Sequence, residues 1–195
     1  MIVGFIGLGN VGHKLAATLV RNGVVTWVHD LCYAKASSLL GSGAKWSATP
    51  SFLTKNCDII ITCLPSPETS AKVIEGKHGI LEGISSKKVW VEMSTSEASE
   101  VERLGKMFTN KGAFAADCPV SGGCHRAQTG NISIFAGCNR KVFDKIKPIL
   151  FILGKRVLHT GPLGSASKLK IMTNYLATTH LLACCEALTT MRAAN

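Results

Sequence analysis

The sequence contains no Cys-x-x-Cys pair, although eight of its 195 residues are cysteines. The histidines do not lie at ligand spacing around these cysteines, so the spacing is not that of a structural zinc site. Several cysteines lie within apolar runs, as Cys63 does after Ile59-Ile60-Ile61. This pattern is typical of free, buried thiols in a reducing compartment. We therefore expect neither a metal site nor a disulfide framework.

The chain also lacks an apolar run of the roughly 18 residues that span a bilayer. The first predicted strand begins directly after Met1, without the basic segment of a signal peptide. Hydrophobic residues make up 46% of the sequence, an ordinary share for a globular protein. The sequence therefore predicts a cytoplasmic protein with no membrane partner, built from one domain or slightly more.

Acidic residues are few, since 12 aspartates and glutamates stand against 22 lysines and arginines. The resulting net charge of +10 is a feature of many nucleic-acid-binding proteins. Here, however, the basic residues are spread along the chain, and aromatic residues amount to only 6%. We interpret the excess as solubility and as attraction for an anionic cofactor and substrate, and expect no nucleic-acid partner.

Three glycines in Gly-x-Gly-x-x-Gly spacing follow a short apolar run at 2–6. Gly7 permits a tight turn out of the strand, and Gly9 lets the backbone approach a pyrophosphate. Gly12 lets the amphipathic helix predicted at 13–21 pack closely on the sheet. The free amides and partial positive charge of that helix N-terminus favour phosphate binding. This strand–loop–helix context predicts a dinucleotide site.

Strand-like and helix-like segments alternate along most of the chain. Strands are predicted at 2–6, 24–29, 43–46, 58–63, 89–92, 113–116, 132–136 and 157–159. Helices are predicted at 13–21, 32–40, 96–110 and 140–153, with further helix starts at 49–50 and 66–68. This order predicts an α/β fold with a Rossmann-like, doubly wound and mainly parallel sheet. Ligands of such sheets bind beyond the carboxyl ends of the strands.

The second strand ends at Asp30, eighteen residues after Gly12. An acidic residue there accepts hydrogen bonds from the adenosine ribose and repels a 2′-phosphate. No arginine occupies 31–34 to cradle such a phosphate, although Lys35 is near. The pattern favours NAD over NADP as the cofactor. A solvated aspartate at a strand end is the alternative interpretation.

Two further loops follow predicted strands and would lie over the bound dinucleotide. Leu64 and Pro65 follow the strand at 58–63 and would supply apolar contact. Thr95 follows the strand at 89–92, where its hydroxyl would reach the nicotinamide ribose or amide. For each loop an ordinary connection is the alternative. The predicted cofactor contacts are Gly7, Leu8, Gly9, Asn10, Val11, Gly12, Asp30, Leu64, Pro65 and Thr95.

A Ser-Gly-Gly turn occurs in the segment 117–123, directly after another predicted strand. Consecutive backbone amides and one hydroxyl in such a turn suit the binding of a carboxylate. Ser121, Gly122 and Gly123 are therefore candidates for binding a small carboxylate-bearing substrate. A tight structural turn is the alternative.

Residues 165–191 contain neither glycine nor proline and predict one helix of roughly 40 Å. Lys170 and Asn174 share a face of this helix, whereas Lys168 lies about 200° away from Lys170. A lysine and an asparagine placed in this way are suited to general acid–base catalysis on a hydroxyl or carbonyl, because partial burial lowers the pKa of a lysine towards the working pH range. Two surface lysines are the alternative. The helix is too long for the sheet to cover, so we expect it to pack on something outside this chain.

Together these motifs resemble the β-hydroxyacid dehydrogenase family of the 3-hydroxyisobutyrate dehydrogenase type, over the whole chain. Residues 5–12 match the family's cofactor signature, and 117–123 match its substrate-binding signature. Lys170 and Asn174 match its catalytic signature. Two positions depart from the family's pattern. Val11 stands where the family often has methionine, and Arg126 stands where it usually has a small residue, a change that could alter substrate specificity.

The resemblance implies NAD-dependent hydride transfer between nicotinamide and a small 3-hydroxyacid. Lys170 would be the general acid/base, and Asn174 would orient it and the substrate oxygen. Ser121, with the two glycines after it, would bind the substrate carboxylate. Lys168, four residues after Gly164, has a spacing that also fits the catalytic role. We prefer Lys170 because Asn174 is in phase with it.

Members of this family continue into an all-helical domain that closes the cleft and forms most of a dimer interface. The resemblance therefore implies a dinucleotide-binding domain at 1–163, and at 164–195 the first helix of an otherwise missing helical domain. A homodimer through that helix is expected. The alternative is a non-catalytic dinucleotide-binding module or pseudoenzyme, against which the retained Lys170, Asn174 and Ser121 argue.

Overall fold

The computed structural model describes residues 1–194 and forms, within them, one nine-stranded sheet. The strands are β1 (Val3–Ile6), β2 (Thr26–His29), β3 (Lys45–Trp46), β4 (Ile59–Thr62), β5 (Val89–Glu92), β6 (Phe114–Asp117), β7 (Val120–Ser121), β8 (Ile132–Gly137) and β9 (Gly154–Gly161). The helices are α1 (Gly12–Arg21), α2 (Ser37–Gly41), α3 (Pro50–Asn56), α4 (Pro67–Glu75), α5 (Ile80–Gly83), α6 (Ala98–Asn110), α7 (Gly123–Gln128), α8 (Arg140–Leu153) and α9 (Ser165–Ala193).

The strand order is β3-β2-β1-β4-β5-β6-β8-β7, with β9 paired to β8. Pairing is parallel from β3 through β6, whereas β8 runs antiparallel to β6 and β7. The chain winds outward from β1 to β3 and then returns to place β4 on the other side of β1. The predicted Rossmann-like, mainly parallel sheet is thereby confirmed, and its crevice opens where β1 and β4 end.

Apolar residues cover both faces of the sheet. One face packs residues such as Phe5 and Leu15 into a core with α1 and α8. The opposite face packs Ile60, Trp90 and Phe108, the last two with stacked rings 4.7 Å apart. All four residues of β1 and of β4 are buried, as expected for parallel strands covered on two sides.

Local capping explains two of the helix starts. The Thr49 hydroxyl accepts a hydrogen bond from the amide of Phe52 (3.2 Å), and Pro50 occupies the first helical position of α3. Ser66 caps α4 in the same way through the amide of Thr69 (3.2 Å), followed by Pro67. Both starts agree with the sequence prediction, because each depends on residues within one turn.

The sequence patterns did not predict three short elements. Strand β7 and helices α5 and α7 span two, four and six residues. Elements this short are defined by the neighbours they pair or pack with, so they carry almost no periodic signal. The predicted second helix begins instead as a 3₁₀ turn at Tyr33–Ala36 before α2.

Helix α9 leaves the sheet soon after it begins. Ala166 and Ser167 in its first turn are buried, but its large apolar side chains from Ile171 to Met191 are 44–72% exposed. The long uninterrupted helix is thus present as predicted, with most of its apolar surface uncovered by residues 1–194. Its length and composition do not qualify it as a bilayer-crossing helix, nor do those of any other helix among these residues.

Candidate functional site

A cleft of about 750 Å³ opens at the carboxyl ends of the central strands. The glycine loop after β1 and Asp30 after β2 line one end of it. Gly122, Gly123 and Lys170 line the other end, and the loops after β4 and β5 lie between. The fold therefore brings the separate sequence motifs to one cavity of the size that holds a small-molecule ligand.

Each glycine of the loop meets a different constraint. Gly7 has φ of +97°, and a Cβ there would lie 2.3 Å from the carbonyl oxygen of Cys63. A Cβ on Gly12 would lie 2.0 Å from the carbonyl oxygen of Gly7, so α1 packs directly on the turn. A Cβ on Gly9 would meet nothing within 4 Å, although Gly9 lines the cleft. The space beside Gly9 is therefore open to a ligand.

The N-terminus of α1 borders this open space, since Gly12, its first residue, lines the cleft. Its N-cap residue, Val11, supplies no side-chain hydrogen bond, and the first turn contains no acidic residue. Asn10 and Val11 also line the cleft. Uncapped amides and the helix dipole make this a site for an anion, and the loop fits the pyrophosphate of a dinucleotide.

Asp30 is held beside the loop by backbone amides. Its carboxylate accepts hydrogen bonds from the amides of Leu8 (2.7 Å) and Cys32 (3.0 Å), and Lys35 Nζ lies 3.3 Å from Oδ1. Burial raises the pKa of this carboxyl, but the two amides and Lys35 outweigh burial and lower the pKa overall. Asp30 is therefore ionised at neutral pH.

The loops after β4 and β5 are joined by a buried hydrogen-bond chain. The amide of Leu64 donates to Ser94 Oγ (2.8 Å), and Ser94 donates both its hydroxyl and its amide to Glu92 Oε1. Leu64, Pro65 and Thr95 all line the middle of the cleft. The predicted contacts in these loops are thus brought to one place, and Ser94 fixes their spacing.

The Ser-Gly-Gly turn lies at the far end of the cleft. Gly122 and Gly123 adopt φ of +130° and +73° and line the cavity, whereas Ser121 is partly buried at the end of β7 outside the lining. A Cβ on Gly122 would lie 2.8 Å from Cδ of Arg126, so the stem of that arginine covers the turn. A side chain at either glycine would be strained.

Lys170 reaches the cleft from the second turn of α9 and is only 8% exposed. Burial lowers the pKa of its ammonium group. Lys168 instead has a side chain 71% exposed that pairs with Glu102 (3.7 Å), away from the cavity. Asn174 lies one turn beyond Lys170, exposed and outside the lining. The geometry therefore separates the two lysines in the way that helix periodicity predicts.

Some cleft residues were absent from the sequence prediction. Leu31 and Cys32 directly follow β2, a position that could have identified them. Thr69 and Val73 come from α4 and share a face by their four-residue spacing. Which face of α4 meets the cleft depends on tertiary packing, so the sequence alone carried no signal for these two.

Two observations concern metal binding and disulfide formation. Within residues 1–194, no group of three or more histidine, cysteine, aspartate or glutamate side chains is placed to hold a metal ion. All eight cysteines are free.

Comparison with known proteins agrees with the geometry. Residues 2–161 match the family described as the NAD binding domain of 6-phosphogluconate dehydrogenase. The chain is 33% identical to 2-(hydroxymethyl)glutarate dehydrogenase of Eubacterium barkeri over 186 residues, 95% of this chain and 62% of that one. It is 32% identical to mitochondrial 3-hydroxyisobutyrate dehydrogenase of Rattus norvegicus, over 95% of this chain and 56% of that one.

Among solved structures, the fold superposes on 3-hydroxyisobutyrate dehydrogenase from Salmonella typhimurium with a TM-score of 0.91 and 25% identity. That match covers 100% of this chain and 68% of the other. The chain thus spans about three fifths of the length of the two curated relatives. By its matched domain, the chain belongs to the NAD-binding-domain family of 6-phosphogluconate dehydrogenase, and its relatives over 95% of its length include a 3-hydroxyisobutyrate dehydrogenase and a 2-(hydroxymethyl)glutarate dehydrogenase.

Proposed function

We propose that this chain belongs to an NAD-dependent oxidoreductase that transfers a hydride between nicotinamide and a small 3-hydroxyacid. The observation that carries the proposal is the placement of Lys170, buried and with a lowered pKa, in the same cleft as the glycine loop. A ligand bound at Gly9 and extending along this cleft would bring its far end to Lys170. 3-Hydroxyisobutyrate or a related hydroxyacid–semialdehyde pair is the proposed substrate, in keeping with the relatives' names.

Each of the predicted catalytic and substrate-binding residues has a proposed role. Lys170 acts as general acid/base, taking the hydroxyl proton in oxidation and returning it in reduction. Ser121, Gly122 and Gly123 bind the substrate carboxylate, and Asn174 orients Lys170 and the substrate oxygen. Bound nicotinamide supplies the hydride acceptor or donor. Leu64 and Pro65 cover the cleft with apolar surface, which limits water.

The experiment is a turnover assay with a panel of 3-hydroxyacids and semialdehydes, following the absorbance of reduced cofactor. Turnover with at least one 3-hydroxyacid supports the proposal. Cofactor binding without turnover on any member would favour the second candidate, a non-catalytic dinucleotide-binding module.

NAD is the proposed cofactor because the ionised Asp30 carboxylate lies at the adenosine end of the cleft. Asp30→Asn keeps the shape of the side chain and removes its charge, which leaves Lys35 free to pair with a 2′-phosphate. We expect the ratio of NAD to NADP affinity to fall by about tenfold, the equivalent of one charge contact. Calorimetric titration with both cofactors measures this ratio. An unchanged ratio would contradict the role of Asp30.

We further propose a dinucleotide-binding domain at 1–163 and, at 164–195, the beginning of a second, all-helical domain whose first helix is α9; Asn195 lies outside the residues that the structure describes. The exposed apolar side chains of α9, from Ile171 to Met191, would pack there and against a second copy as a homodimer. Light scattering of the chain at micromolar concentration should show self-association. A clean monomer would contradict the dimer. The free thiols suit a reducing compartment, proposed as the cytoplasm.

A further inference from the structure

Asp117, at the end of β6, is fully buried and bonds to a distant part of the chain. Its Oδ1 accepts a hydrogen bond from the amide of Gly164 (2.9 Å), and its Oδ2 accepts one from the amide of Ser167 (2.8 Å). Both donors belong to the first turn of α9 or its N-cap. The carboxylate therefore caps a helix that lies 47 to 50 residues further along the chain.

No residue of α9 itself performs this capping. The N-cap residue is Gly164, which has φ of +89° and no side chain to accept an amide. Amides at a helix N-terminus otherwise lack partners, and a negative charge there is favoured by the helix dipole. Asp117 supplies both acceptor oxygens.

The sheet also leaves room for this carboxylate. Gly137 pairs with Asp117 across β6 and β8, and a Cβ on Gly137 would lie 2.2 Å from Asp117 Oδ1. A larger residue at 137 would displace the carboxylate from its position. The absence of a side chain at Gly137 in β8 therefore leaves the space in which the Asp117 carboxylate accepts hydrogen bonds from the start of α9.

The first two turns of α9 are the part of the helix that is held against the sheet. Ala166 and Ser167 are buried, and Lys170 is the last buried residue before the exposed remainder. Lys170 follows Ser167 by three residues, so the two side chains lie on one face, one turn apart. The position of Lys170 in the cleft thus depends on how firmly this first turn is fixed.

We propose that Asp117 is a positioning residue, whose carboxylate anchors the first turn of α9 and thereby holds Lys170 in the cleft. The importance of that placement for turnover rests on the proposed function. The anchoring itself does not, and it can be measured on the chain without cofactor or substrate. Burial is the cause of the lowered pKa of Lys170, so loosening the turn would also return that pKa toward its ordinary value.

The test is the rate at which an amine-acylating reagent labels the unprotonated amine of Lys170, relative to Lys168, measured by peptide mass spectrometry over a range of pH so that a change in accessibility is separated from a change in the pKa of Lys170. Lys168 is the internal reference, because it lies on the same helix and its side chain is 71% exposed. Asp117→Asn turns one acceptor into an amide donor that faces a backbone N–H. Loss of a cap shifts a local opening equilibrium by about 2- to 30-fold, and we expect Lys170 labelling to rise within that range.

The matched control is Asn139→Ala. Asn139 caps α8 by accepting the amide of Val142 (2.9 Å), and α8 contributes no residue to the cleft lining among residues 1–194. This variant should lose stability without changing the ratio of Lys170 to Lys168 labelling. Equal labelling changes in both variants would show a general loss of stability and overturn the proposal.

A second pair keeps the carboxylate intact in case Asp117→Asn does not fold. Ser167→Pro removes the amide that donates to Oδ2, at a position in the first turn. Ser167→Ala removes the buried hydroxyl and keeps the amide that donates to Oδ2. The proline variant should increase Lys170 labelling, and the alanine variant should not. Unchanged labelling in folded Asp117→Asn or Ser167→Pro would contradict the anchoring.

Where the wild-type protein turns over substrate, Asp117→Asn should lower kcat while the affinity for NAD stays the same. If the wild type shows no turnover but Asp117→Asn still exposes Lys170, the proposed function fails and the anchoring stands. If the wild type turns over substrate but Lys170 labelling does not change in Asp117→Asn, the anchoring fails and the proposed function stands. The two proposals are therefore tested separately.

Discussion

Lys170→Met is expected to lower kcat by about 10²- to 10⁴-fold, the usual contribution of a general acid/base. Methionine keeps the length of the alkyl stem, so the buried part of the side chain remains packed. The ammonium group is lost, and with it the group that exchanges the hydroxyl proton. Because the glycine loop is unaffected, the affinity for NAD should change by less than about twofold. Steady-state kinetics and a cofactor titration give both numbers.

Lys168→Met is the matched control, two residues away on the same helix. The Lys168 side chain is 71% exposed and pairs with Glu102 outside the cleft. An exposed ion pair of this kind contributes little to stability, so neither the free energy of unfolding nor kcat should change appreciably. A variant Lys168→Met that loses turnover while Lys170→Met keeps it would reverse the assignment of the two lysines.

The second large effect is expected at Gly9. A Cβ at this position would meet nothing within 4 Å, so Gly9→Ala should leave the free energy of unfolding within about 1 kcal/mol of the wild type. The same methyl group would project into the space that the dinucleotide pyrophosphate requires. We therefore expect the Kd for NAD to rise by about tenfold or more, while Tm shifts by no more than about 4 °C.

Gly41→Ala provides the comparison for Gly9→Ala. Gly41 ends α2, lies outside the cleft, and would also accept a Cβ without meeting any atom within 4 Å. Both variants should fold equally well, and only the one at Gly9 should bind NAD more weakly. If both bind NAD as the wild type does, the open space beside Gly9 is not the pyrophosphate site.

Much of the fold could be predicted from the sequence because the signals are local. The apolar run of β4, the Thr49-Pro50 helix start and the glycine loop each depend on residues close together in the chain. The cleft motifs could likewise be predicted, since each directly follows a strand and parallel strands place their carboxyl ends along one edge. Helix periodicity also separated Lys170 from Lys168.

The remaining features depend on contacts between distant residues. In the sequence Asp117 is the first residue of the predicted substrate-binding segment, yet its carboxylate caps α9 47 to 50 residues away. Thr69 and Val73 enter the cleft through the packing of α4. The antiparallel pairing of β8 with β6 depends on sheet assembly rather than on the pattern within either strand. None of these contacts has a short-range pattern that could predict it.

One dinucleotide is proposed to extend from the glycine loop to Lys170. Amide chemical shifts of the assigned 20.7 kDa chain, measured during separate titrations with AMP and NAD, test this directly. AMP should perturb the amides around Gly9 and Asp30 and leave those of Ser94 and Lys170 unchanged, whereas NAD should perturb all four. Two results would contradict a single cofactor site that reaches Lys170. In one, NAD perturbs only the amides around Gly9 and Asp30; in the other, NAD leaves those amides unchanged.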